Sequence, residues 1–100
     1  MATTAKVLAR TAAATSSTTL YTVPASTTTV VTNIIVANSA SSAATFTITL
    51  DSVDLFKDVS IAANTTVSFD LKQVLNTTKI IAALASAVTI KFHVSGVEIA

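Results

Sequence analysis

The chain has 100 residues, a formal net charge of +1, no cysteine and a single glycine. That length holds one domain. The missing cysteines exclude a disulfide framework and a Cys-built zinc site, and the near-neutral balance leaves no basic footprint for nucleic acid. Charged residues make up only 11% of the chain while 51% is apolar, against about 25% charged in ordinary soluble domains. The exterior must therefore be wetted by hydroxyls, buried in an assembly, or both.

Thr, Ala and Ser supply nearly half of the sequence, and the long helix formers are scarce, with one Glu, one Gln and one Met. Threonine is β-branched and stiff at χ1, so it favours a pleated strand over a helix. A helical bundle is excluded on this balance.

Residues 1–17 are a low-complexity Ala/Thr/Ser segment with Val7 and Leu8 as the bulky anchors. We read it as an N-terminal arm, either loose or forming a short edge strand around Lys6 to Arg10, preceding a β-sandwich domain over residues 18–100. Such an arm is suited to exchange with a neighbouring subunit. It lacks the apolar core of a secretory signal. No apolar run approaches the ~20 residues of a membrane helix, so no membrane partner is expected.

The patterned body starts at Leu20. Thr19–Val23 reads as a short strand that Pro24 ends or confines to an edge, since proline cannot donate to a ladder. Thr28–Asn38 is the longest strand candidate. Val30, Val31, Ile34, Ile35 and Val36 make it apolar on both faces for part of its length, which places it centrally in a sandwich or at an interface. Small residues turn the chain over Ser39–Ala43. Thr45–Leu50 then alternates, with Phe46, Ile48 and Leu50 inward and the threonines outward.

Asp51–Asp54 is a turn by composition, and Leu55–Ile61 returns to make a hairpin. Thr65–Leu71 places Val67, Phe69 and Leu71 on one side. Alternation fails over Lys72–Thr78, where Gln73, Val74 and Leu75 suit one helical or 3₁₀ turn ended by Asn76. Ile80–Leu84 is a weak strand, with a helix over Ile80–Val88 as the alternative. In the last strand Val88, Ile90, Phe92 and Val94 point one way and Thr89, Lys91, His93 and Ser95 the other. After Gly96 the apolar parity changes to Val97 and Ile99, which predicts a β-bulge or a switch between sheets at the glycine. About seven or eight short antiparallel strands at even spacing predict an all-β sandwich or a jelly-roll-like barrel.

No motif carries chemistry. His93 is the single histidine, so any nucleophilic triad must use it, yet it lies on the polar face between Lys91 and Ser95 and no nucleophile elbow exists. A solvent-facing histidine is the plainer reading. Asp51, Asp54 and Asp58 share one hairpin and are the calcium-like cluster of the chain, but the segment lacks the glycine turn and closing glutamate of an EF-hand loop. Turn chemistry and solubility account for them. With one glycine a phosphate-cradling loop is excluded. Asn64-Thr65-Thr66 and Asn76-Thr77-Thr78 match the glycosylation acceptor, as turns in a Thr-rich chain do by chance. The aromatics are Tyr21, near Pro24, and Phe46, Phe56, Phe69 and Phe92; the phenylalanines are core by default, since base stacking needs exposed aromatics with basic neighbours. No catalytic, cofactor-binding or metal-binding residue is assigned, and no cofactor.

The segments LYTVPA (20–25), TTTVVTNIIVANSASSAATFTITLD (27–51), VSIAANTTVSFDL (59–71) and FHVSGVEI (92–99) together resemble a family of small β-sandwich structural proteins of tailed bacteriophages. The resemblance spans Leu20 to Ile99 and rests on composition and the order of turns. Where those proteins often carry glycine in turns, this chain has Ser26 and Ser52. The resemblance implies a scaffold in the virion, assembled in the host cytoplasm: foremost a capsid decoration (cement) subunit, otherwise a neck, tail or baseplate component. Its implied partners are copies of itself, with a trimer matching the three-fold sites of a capsid, and the major capsid or other virion proteins. A secreted or surface carbohydrate- or protein-binding sandwich is the rival of another class, weakened by the absence of tryptophan.

Overall fold

A computed structural model describes residues 3–100 of the chain. Eight strands follow one another: β1 (Thr3–Ala12), β2 (Thr18–Thr22), β3 (Thr28–Asn38), β4 (Ala44–Leu50), β5 (Val53–Ile61), β6 (Thr65–Leu75), β7 (Ile80–Ala85) and β8 (Ile90–Ile99). They form two four-stranded sheets, ordered β1-β8-β3-β6 (sheet A) and β2-β7-β4-β5 (sheet B), with every ladder antiparallel. The pairs β4–β5, β3–β6, β2–β7 and β1–β8 are nested like one long hairpin rolled on itself. That order is a jelly roll, and the expectation of an all-β sandwich holds.

Rolling places β1 beside β2 and β5 beside β6 at the two flanks. Inward positions fill the space between the sheets. Ile34 and Val36 from β3, Phe46 and Ile48 from β4, Ile81 from β7 and Ile90, Phe92 and Val94 from β8 are all buried. Phe46 lies 6.0 Å from Phe56, 6.3 Å from Phe69 and 6.2 Å from Phe92 by ring centroids, so one side chain joins both sheets. Phe56 and Phe69 stack at 4.4 Å and close the β5–β6 flank. Each such burial contributes about 1.5–3 kcal/mol, with ~0.5–1.5 more per aromatic pair.

Polar groups lock both ends. At one end Asn38 is buried and its amide donates to the carbonyls of Ser42 (2.9 Å), Ala62 (3.3 Å) and Ile61 (3.4 Å). Its Oδ1 accepts from the Ala40 amide (3.1 Å) and the Thr89 hydroxyl (3.4 Å). One asparagine thus ties three connections together. The β4–β5 hairpin turns on Asp51 and Ser52, both with positive φ (53° and 64°), as a two-residue I′ turn requires. Ser26 also has positive φ, 56°, so both serines that replace the glycines of the resembled proteins sit in the left-handed region.

Four expectations need correction. The N-terminal segment is the expected edge strand around Lys6 to Arg10 but a longer one, because Thr3–Ala12 pairs along β8 and buries Leu8; its first two residues, Met1 and Ala2, lie outside the described ones. Gln73, Val74 and Leu75 form no helical turn but continue β6, with Val74 opposite Val30 and Leu75 opposite Thr29. β6 keeps its parity from Val67 to buried Leu75, and the pattern looks broken because polar Gln73 takes an inward position and Val74 an outward one, 63% exposed. β8 itself runs through Gly96 unbroken, and the irregularities lie in its neighbours, between Val31 and Asn33 in β3 and between Val7 and Ala9 in β1. Val88 belongs to the β7–β8 connection and is 61% exposed.

Candidate interaction surface

Because β8 keeps its parity, Val97 and Ile99 fall on the same side as Lys91, His93 and Ser95, which is the outer face of sheet A. The ladders order that face into rows. Ala5, Val97, Val30 and Val74 stand side by side across all four strands. The next row is Val7, Ser95, Asn33 and Asp70, and the one after it Arg10, His93, Ile35 and Ser68. A fourth row holds Ala12, Lys91, Ala37 and Thr66. The face therefore carries an apolar row at the end bearing the chain termini, flanked on β6 by Lys72 and Asp70, and is basic toward the opposite end. Val74, on the β6 edge, is 63% exposed and Val7, on the opposite β1 edge, is 47% exposed.

The outer face of sheet B differs. Thr19, Thr22, Thr45, Thr47 and Thr49 with Ser60 and Ser86 lie on it, either side of an apolar strip of Ile80, Ala82 and Leu84 along β7, with Asp54 on the β5 side. Thr47 receives the Asp58 amide on its hydroxyl at 3.0 Å and so plugs the bulge in β5. These hydroxyls wet the sheet on both sides of the apolar β7.

His93 has Arg10 and Ile35 as its ladder neighbours, with no carboxylate among them. Asp51 pairs with Lys79 at 3.6 Å, Asp58 with Lys57 at 3.8 Å, and Asp54 stands across from Thr49. Among the described residues no group of three histidine or carboxylate side chains is gathered as metal ligands. The depressions are shallow and open. One of about 480 Å³ lies at the β3–β6 bulge, lined by Thr32, Asp70, Leu71 and Lys72; another, of about 300 Å³, lies over Arg10, Thr11, Ala12, Lys91 and His93. The glycosylation-type Asn64 and Asn76 sit in the β5–β6 and β6–β7 turns.

A polar clamp crosses the sandwich at the terminal end. The Tyr21 hydroxyl from sheet B donates to Glu98 and shares a 2.8 Å hydrogen bond with Thr29, while the Lys6 ammonium lies 3.3 Å from the Glu98 carboxylate. The Tyr21 hydrogen bond, and then Lys6, hold the Glu98 carboxyl below its ordinary value against the opposing effect of burial. Burial first, and Glu98 second, push the Tyr21 phenol above its own. The clamp is occupied by its own members and serves to hold the sheets together.

The apolar row was signalled in the sequence by two features, the two-faced strand β3 and the apolar pair after Gly96. Neither could be placed without the register. Fold and surface together define an eight-stranded jelly-roll domain with two unlike outer faces. Comparison with family models, with curated proteins and with solved structures gives no match for this chain.

Proposed function

We propose that the protein is a non-enzymatic structural subunit of a tailed-phage virion, foremost a decoration subunit that stabilises the assembled head. The reading is carried by the exterior of the jelly roll: hydroxyls over sheet B and an apolar row over sheet A, with few charges on either. Such surfaces suit association through wide, flat contacts with apolar centres. The resemblance over Leu20 to Ile99 supports the virion setting. A decoration subunit binds the major capsid protein and adds contacts between capsomers, which resist internal pressure.

The test is co-sedimentation and light scattering of the purified chain with empty phage heads. Saturable binding that raises the temperature of head disruption is expected. A chain that ignores heads but binds isolated tails would move it to the neck, tail or baseplate. Clear signals on a glycan array, with no binding to either particle, would replace the virion reading with a carbohydrate-binding module.

A further inference from the structure

We propose that the outer face of sheet A is a self-complementary interface on which a second copy of this chain packs about a two-fold axis running parallel to the strands between β8 and β3. The proposal stands apart from the virion reading and needs no phage partner.

The edges argue against strand addition. All four edge strands, β1, β2, β5 and β6, lie in ladders whose register breaks, and such irregularities blunt an edge against pairing with another chain. A face remains, and the face of sheet A is the one carrying an apolar row.

The arrangement of side chains selects the axis. A two-fold parallel to the strands lays each row on its own reverse. Val97 then meets the partner copy's equivalent of Val30, and exposed Val74 meets the small Ala5, which is a large-on-small fit. In the basic rows Arg10 falls over Ser68, His93 over Ile35 and Lys91 over Ala37, so no two cations are superposed. Asp70 lies two residues beyond Ser68 on β6, a step of ~7 Å along the strand, and an arginine side chain spans it. Arg10 has no carboxylate partner within its own chain among the described residues, and Asp70 is held by the amide of Asn33 at 3.1 Å and not by a cation.

The area is sufficient. Four strands ~4.8 Å apart and ten residues long present ~600 Å² in projection, or ~1,200 Å² for two copies, the lower limit of stable specific interfaces. Its strength is set by the fit of the apolar row and not by area, and a dimer on the order of micromolar is the expectation tested.

Sedimentation equilibrium across 1–500 µM, a range on the order of such affinities, tests it. The unmodified chain should dimerise. Arg10→Asp and Asp70→Arg should each weaken the dimer at least tenfold, and the double exchange should restore it, since each contact is then re-formed with reversed sign. Val97→Asp should abolish it. Circular dichroism of each variant establishes that it is folded. A chain that stays monomeric throughout, a trimer, or single charge variants that associate like the parent would each overturn the proposal.

Discussion

The single glycine gives the sharpest test of the fold. Gly96 lies on the inner side of β8, between the irregular stretches of β1 and β3. A methyl group at its Cβ position would stand 2.3 Å from the Val30 carbonyl oxygen, 2.9 Å from the Leu8 Cδ1 and 3.2 Å from the Val30 carbonyl carbon. The Leu8 contact could be relieved by a rotation. The contact with Val30 could not, because that carbonyl belongs to a strand paired on both sides and would have to retreat by about 0.7 Å in a close-packed interior. Overpacking of this kind costs about 1–3 kcal/mol, and a rigid backbone obstacle puts Gly96→Ala at the upper end. For a chain of this size each kcal/mol moves Tm by about 4–8 °C, so thermal unfolding followed by circular dichroism should show a fall of roughly 15 °C. Adding Leu8→Ala should recover none of it, since only the softer contact is removed. A Tm within about 3 °C of the parent, or rescue by Leu8→Ala, would refute the account of why the residue is glycine.

Three further outcomes follow from the polar groups and turns. Asn38→Ala should lower stability by about 2–4 kcal/mol in urea unfolding, because it leaves buried carbonyls in two connections without their donor. Ser52→Gly should raise stability by about 1 kcal/mol, by relieving a side chain from the left-handed region in the β4–β5 turn; unchanged chemical denaturation would count against the I′ geometry. Glu98 has a lower pKa folded than unfolded, so its contribution is present above the unfolded value of about 4.3 and is lost as pH falls through the folded value. Tyr21→Phe removes the first cause of that shift and should flatten the fall of Tm between pH 5 and 2, about the range in which such carboxylates lose their linkage.

What the sequence disclosed depended on how local the information was. β3 was legible at its full length because β-branched residues fill it between turn-forming neighbours. The core of β4 and β8 was legible because Phe46, Ile48, Phe92 and Val94 fall on strict alternation. β1 was less so: an Ala/Thr-rich segment has little pattern, and its place in sheet A depends on Leu8 and on a partner nearly the whole chain away. Over residues 72–75 a glutamine on the inward parity and a valine on the outward one mimic a turn, and only the cross-strand positions of Val74 and Leu75 show the strand running on. The apolar row needed residues 5, 30, 74 and 97 to be aligned, which no single stretch can reveal. The role of Asn38 was hidden for the same reason, since its partners lie on three different connections.

The nested order of strands also fixes when the fold can be finished during synthesis. β1 has β8 as its one neighbour in sheet A, and β8 also separates it from β3. β1 must therefore wait for β8, and closure of a loop of about eighty residues, the span from Ala12 to Ile90, precedes the contacts that reward it. Until β8 has left the ribosome, β1 hangs unpaired and β3 shows an open side. A nascent chain stalled short of Ile90 should consequently display those strands to chaperones, and refolding from urea should be slow even with every proline and cysteine complication absent or nearly so.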